Sequence, residues 1–210
     1  MRTTSSAPPT PRLILASASP RRRELLALLG IVFEIAPANI DETQRPAEPP
    51  LAYVQRLSAQ KAAAVAQAAA PPAVVLAADT VVICDGAILG KPADADAARA
   101  MLRALRGRAH TVCTALTLAR LESGAPARTL TRVTSTEVHM RAYTDAEIDA
   151  YIATGDPFDK AGGYAIQHAG FAPAADISGS YTNVVGLPLE TLRALLAEIG
   201  WPLPAAARED

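Results

Sequence analysis

An α/β fold built on a mixed, twisted sheet flanked by helices is the architecture this sequence predicts. Three observations predict it. Short apolar, β-branched runs mix with amphipathic helical segments along the whole chain. Two long β-rich stretches, near 109–120 and 128–140, follow one another directly and suggest an antiparallel pair. No internal repeat and no linker long enough to divide 210 residues is present, so a single domain over 13–200 is expected.

In order along the chain, residues 1–12 are rich in Ser, Thr and Pro and lack an apolar signal-peptide core, so a disordered lead-in is expected. Leu13–Ser17 is short and apolar and reads as a buried strand. Ser19-Pro20 starts a helix, Ser as cap and Pro in the first helical position, and Gly30 stops it. Ile31–Ala36 reads as a second strand, followed by an acidic, Pro-rich loop to Pro50, and 51–68 as the next helix. Val74–Ala78 and Val81–Cys84 read as strand on either side of Asp79-Thr80, with Asp85-Gly86 as a hairpin turn. Asp94–Leu105 is helical, with Met101, Leu102 and Leu105 inward and Arg99, Arg103 and Arg106 forming a solvated face. Thr144–Thr154 is helical, and Pro188–Ile199 is an amphipathic helix with Leu189, Leu192, Leu195 and Leu196 on one side. The Pro/Ala-rich tail, 201–210, is expected to fray.

Composition excludes several classes. Half the residues are hydrophobic and the formal net charge is −1, which argues against a nucleic-acid polymer as partner, because such binders carry a basic excess. Any anion site must be a local cluster of Lys and Arg. The longest apolar stretch, 62–84, is broken by Gln67, Pro71-Pro72 and Asp79, so no membrane span is expected. Cys84 and Cys113 each sit in an apolar run and read as buried free thiols, which suits a reducing, cytoplasmic setting.

Five features carry chemistry. In Ser17-Ala18-Ser19-Pro20-Arg21-Arg22-Arg23 a strand ends, two hydroxyls follow, and a helix opens on three arginines. Unpaired N–H groups at a helix start favour a phosphate, and a bound anion would relieve the arginines' mismatch with the positive dipole end. The plainer alternative is that they project into water. Lys61 falls in the middle of the apolar stripe of its helix, with Val54, Leu57 and Val65, while Arg56 points away. Such a lysine snorkels, finds a partner or lines a polar cleft. Asp79, after Val74-Val75-Leu76-Ala77-Ala78, either forms a turn between short strands or holds a cation or orients a water. Lys91, in Leu89-Gly90-Lys91-Pro92, and Glu42, in Asp41-Glu42, are weak signals alone. Together these groups suit triphosphate chemistry: cations neutralise the polyphosphate, and carboxylates hold a metal and position water. Neither a P-loop nor a G-x-G-x-x-G is present, and Ser58-Ala59-Gln60-Lys61 lacks the companion motifs of the β-lactamases.

These residues resemble the Maf nucleotide pyrophosphatases over about Leu13 to Leu196. The likeness rests on the Ser17–Arg22 block, Tyr53-Val54-Gln55-Arg56-Leu57 with Lys61, Ala78-Asp79-Thr80-Val81-Val82 and Leu89-Gly90-Lys91-Pro92. It continues through Asp159-Lys160-Ala161-Gly162, Tyr164-Ala165-Ile166-Gln167 and Gly179-Ser180-Tyr181 to Asn183-Val184-Val185-Gly186-Leu187-Pro188. The resemblance implies two lobes around a nucleotide cleft, a divalent cation (Mg²⁺ or Mn²⁺) and often a homodimer. It puts the catalytic base on Asp79, phosphate binding on Ser17, Arg21, Arg22, Lys61 and Lys91, and the metal on Glu42 and Asp79. Arg21, Thr80 and Gln167 match the branch that prefers dTTP and UTP. Other readings within the resemblance are a pyrophosphatase of 7-methyl-GTP or other modified nucleotides, and a non-catalytic regulator of septum formation. Ala165 and His168 stand where the dTTP/UTP branch usually has Gly, and a left-handed backbone there would alter the base-binding loop.

Overall fold

The computed structural model describes residues 11–124 and 127–203. The expected lead-in and tail fall mostly outside that range. Their inner ends are structured: Arg12 opens the first strand, and Trp201 is buried in the core.

Seven strands form one mixed sheet. β1 (Arg12–Leu15) runs parallel to β2 (Phe33–Ile35) and to the first residues of β3 (Ala73–Cys84). β5 (Ala109–Leu121), β6 (Arg128–Met140) and β7 (Ala174–Ser178) continue antiparallel from β3. The hairpin at Asp85-Gly86, both at positive φ as its turn type requires, returns β4 (Ala87–Leu89) along the far end of β3. The expected antiparallel pair is thus β5 and β6.

One expectation is corrected. Residues 74–84 are not two short strands about a turn; β3 is one continuous strand of 12 residues that carries Asp79 in its interior. Thr80, Val81 and Val82 are β-branched and no Gly or Pro interrupts them, so the extended backbone continues.

Strand β3 organises the core by alternation. Val74, Leu76 and Ala78 pack with Leu26 of α1 (Pro20–Ala27) and with Leu192, Leu195 and Leu196 of α6 (Leu189–Glu198). Val75 and Ala77 face the other way, onto Ala62 and Val65 of α2 (Pro50–Ala68), and Val81 meets Val54 of the same helix. Val82 and Cys84 belong to a further cluster around Leu102 and Leu105 of α3 (Ala95–Leu105) and Ile148 and Tyr151 of α4 (Asp145–Ala153). The arginines of α3 form a partly exposed face, as expected, and pair along it. Arg99 pairs with Asp149, and Arg103 and Arg106 both pair with Asp145, tying α3 to α4. The two cysteines are buried and free. Among the described residues, no helix is long and apolar enough to cross a membrane.

Candidate active site

The sheet is interrupted where the chemistry lies. One edge of β3 pairs with β5 from Ala73 to Ile83. The other edge is shared, β1 taking residues 73–76 and β4 taking 82–84, so among the described strands none pairs there with 77–81. A cleft of about 570 Å³ opens at this gap, within the usual size of a small-molecule site. All nine sequence-predicted site residues line it: Ser17, Arg21, Arg22, Glu42, Lys61, Asp79, Thr80, Lys91 and Gln167.

Alternation on β3 fixes which way each side chain points. Asp79 shares the face of Val75 and Ala77, so it meets α2, whereas Thr80 points to the opposite face. On α2, Lys61 lies one turn beyond Leu57 on the buried stripe and is itself only 8% exposed. Its ammonium donates to Asp79 Oδ1 at 2.6 Å and pairs with Glu42 Oε1 at 2.7 Å. Of the three fates open to an inward lysine, the geometry gives two together: it has partners, and they line a cleft.

Glu42 belongs to a loop that Tyr53 and Arg56 of α2 anchor. Tyr53 donates its hydroxyl to the Glu42 carbonyl at 2.9 Å. Arg56 donates to the Thr43 carbonyl and grips Glu48 with two charge-assisted bonds of 2.6 and 2.7 Å, which hold the Glu48 carboxyl down to about 2. Sequence reading noted that Arg56 points away from Lys61 but gave it no task. Asp41 is occupied with the Thr43 N–H and does not line the cleft.

The opening of α1 divides its three arginines. Ser19 caps the helix by accepting from the Arg22 N–H, and Ser17 Oγ accepts from the Ser19 N–H. Arg23 is exposed and outside the cleft. Arg22 turns inward and is spent on protein acceptors: Gly186 O at 2.9 Å, Ala78 O at 2.8 Å, Thr80 Oγ1 at 3.0 Å and Ser17 Oγ at 3.3 Å. The Ala78 carbonyl lies in the stretch of β3 that lacks a second strand, so the guanidinium supplies the donor that a strand would. Gly186 closes α5 (Tyr181–Val185) at φ 115°, and a Cβ there would come 3.4 Å from Thr80 Oγ1. Arg21 stays in the cleft, where its only hydrogen bond among the described residues goes to Asp159.

Electrostatics follow from burial. Burial drives the Asp79 carboxyl above its ordinary range; Lys61 and then Arg22 oppose the rise, and Glu42 adds to it. Burial also draws the Arg22 guanidinium below its usual value, against the pull of Asp79. Asp79 and Glu42 converge on one ammonium, and two hard carboxylate donors on one point, completed by phosphate oxygens and water, are what Mg²⁺ or Mn²⁺ accepts. No group of three or more His, Cys, Asp or Glu able to hold a metal occurs among the described residues, so ligand or water oxygens would have to complete the coordination of a cation here.

Two positions raised by the sequence resolve plainly. Ala165 and His168 are not at positive φ, so neither strains the loop. Ala165 lines the cleft; His168 does not, and its Nδ1 instead accepts the Phe171 N–H while its ring meets Tyr151 edge-on. Gln167 is exposed at the rim. Asn183, fully buried, donates to Val112 O and Thr136 Oγ1 and so docks α5 against β5 and β6. Two further charged groups line the cleft, Asp159 and Lys160, which the sequence offered only as part of a family block and without a role. A charged pair in a loop carries no periodic signal, so its place in the cleft follows only from the fold.

The chain is similar to known proteins. A family model described as Maf-like protein matches residues 12–199. A protein of Anaeromyxobacter dehalogenans named dTTP/UTP pyrophosphatase is 54% identical over 92% of this chain and 97% of its own length. One of the same name from Chromobacterium violaceum is 47% identical over 92% of this chain and 97% of its own. Among solved structures, the Staphylococcus aureus Ham1 protein aligns over 90% of this chain and 99% of that one, with 14% identity and a TM-score of 0.48.

Proposed function

The chain belongs to the Maf family, and on that premise we propose that it hydrolyses dTTP and UTP to the monophosphate and pyrophosphate, by attack of water on the α-phosphorus. The observation that carries this reading is the Asp79–Lys61–Glu42 cluster, held in a cleft whose other charged groups include Arg21 and Lys91. Asp79, even paired with Lys61, puts negative charge beside an anionic ligand, which a protein that only binds nucleotide does not need, so it favours an enzyme over a binding-only regulator.

In this reading Asp79 accepts the proton of the attacking water. Its raised pKa suits that role, because a base works best when its pKa lies nearer the operating pH. Lys61 keeps the carboxylate ionised and turned towards the cleft. Arg21 and Lys91 bind the phosphates and the leaving pyrophosphate. Arg22 acts one step back: it fixes Ser17, Thr80 and the open edge of β3, and so shapes the phosphate site from behind. Asp79 and Glu42 would hold a divalent cation, which when bound screens charge between carboxylates and phosphates and activates the phosphoryl group. Gln167 offers one donor and one acceptor, which suit the O4 and N3–H edge of uracil or thymine. A cytoplasmic setting fits free thiols and a nucleotide substrate.

The test is pyrophosphate release from UTP, dTTP, ITP and 7-methyl-GTP at one concentration, with Mg²⁺ or Mn²⁺ and again with EDTA. UTP and dTTP should turn over fastest, and EDTA should stop all turnover. Preference for 7-methyl-GTP, or nucleotide binding without pyrophosphate release, would reject the assignment.

A further inference from the structure

The far wall of the cleft holds a charge network that the reaction outlined above does not use. Lys160 lines the cleft yet has no donor left for a ligand. Its three ammonium N–H groups are matched by three oxygens: Asp156 O at 2.7 Å, Asp156 Oδ1 at 2.7 Å and Asp159 Oδ1 at 2.6 Å. The side chain is 8% exposed, so this is a built anchor and not a solvated lysine. Its effect is to fix Asp159, whose second oxygen, Oδ2, faces Arg21 Nη1 at 3.3 Å. Asp159 and Arg21 stand 138 residues apart in sequence and meet only across the cleft.

The two bonds of this carboxylate differ in quality. The Lys160 bond is short and its donor buried. The Arg21 contact is longer than the 2.7–2.9 Å of a strong charge-assisted bond, and the Asp159 side chain is 63% exposed. Arg21 can therefore leave Asp159 while Lys160 still holds it. Burial works against the charge on Asp159, but Lys160 and Arg21 outweigh it and hold the carboxyl below its usual range, so a negative charge is present at neutral pH.

We propose that Asp159 is a built-in competitor for Arg21: a polyphosphate must displace it to enter, and its return to Arg21 helps expel pyrophosphate. The inference rests on the reading of the cleft as a triphosphate site. A cleft with several cations holds its product tightly, and a tethered carboxylate meets Arg21 at high effective concentration once a phosphate loosens. Asp159 is on this account a positioning residue that sets phosphate affinity without touching the reacting atoms.

Calorimetric titration with inorganic pyrophosphate in Mg²⁺ buffer tests it, on the full chain, in four forms: wild type, Asp159→Asn, Arg21→Ala and the double variant. Asn keeps an oxygen for Lys160 and removes the charge. Asp159→Asn should bind pyrophosphate about two- to fivefold more tightly, within the range expected for releasing one partly exposed ion pair. In the Arg21→Ala background the gain should shrink below about twofold. Tighter binding is an outcome that a damaged fold does not produce. Asp159→Glu, which keeps the charge, should retain wild-type affinity. Unchanged or weaker binding by Asp159→Asn, an equal gain in both backgrounds, or a gain with Asp159→Glu would each overturn the proposal. The titration reads Asp159 even in a protein that fails to hydrolyse UTP, so the two hypotheses fail separately.

Discussion

At the scale of the residue, Asp79 is a group placed against its own preference. It is only 7% exposed, and burial disfavours its charged form by more than Lys61 and Arg22 favour it. In the proposed mechanism that cost serves the chemistry. Asp79→Asn separates the two roles. Turnover should fall by at least about a thousandfold, given that a positioned base contributes roughly 10²–10⁴ and a cation ligand is lost with it. In EDTA, the same variant should be no less stable than the wild type at neutral pH, by urea denaturation, because relief of a buried charge offsets the lost pair and Glu42 remains as partner to Lys61. The sign is that of a raised carboxyl: its contribution to stability is present below the unfolded-state pKa and lost as pH rises through the folded-state value. A variant that keeps its turnover removes Asp79 from the mechanism; one that loses several kcal/mol makes Asp79 a structural residue.

The element scale shows what sequence could and could not deliver. Helix α2 was legible with its function: the 3.6-residue period put Lys61 inside, and an inside lysine needs partners. The start of α1 was legible as a local motif, but the division of labour among Arg21, Arg22 and Arg23 was not. Which arginine turns inward depends on Ala78, Thr80 and Gly186, which are remote in sequence and adjacent only after the sheet forms. For Asp79 the sequence left a turn open beside a role with cation or water, and the continuous strand removes the turn. Local preference could not foresee that β5 would pair with β3 straight past it.

Strand β5 carries a second such long-range tie. His110 Nε2 lies 2.6 Å from the Tyr164 hydroxyl, and both are buried, so β5 holds the segment whose Tyr164, Ala165, Ile166 and Gln167 line the cleft. Burial, with His139 adding to it, pushes the His110 imidazole down to about 4. The linkage sign is that of a depressed base: the folded state prefers the neutral ring, so stability is intact above the unfolded pKa near ~6.5 and declines as pH falls towards 4. His110→Gln should flatten the loss of stability between pH 7 and pH 4.5 by an amount on the order of 2 kcal/mol, read from urea midpoints at each pH. An unchanged pH slope would assign the acid sensitivity to other groups.

For the whole molecule, the fold class, the order of most elements and the antiparallel β5–β6 pair followed from periodicity and turn chemistry alone. The site residues were named through family blocks scattered from Ser17 to Gln167, and folding gathers all nine at one gap in the sheet. What periodicity cannot encode is the gap itself. Two short strands, β1 and β4, share one edge of a long one and leave 77–81 free, a property of sheet topology and not of any segment. The same topology lets charged groups from α1, α2, the Glu42 loop and the Asp159 turn face one volume.

The central claim is that this volume directs water to the α-phosphorus of a nucleoside triphosphate. Hydrolysis of UTP in ¹⁸O-enriched water, with both products analysed by mass spectrometry, tests it most directly. The account predicts one solvent oxygen in the UMP and none in the pyrophosphate. Label in the pyrophosphate, or release of UDP and orthophosphate, would contradict it.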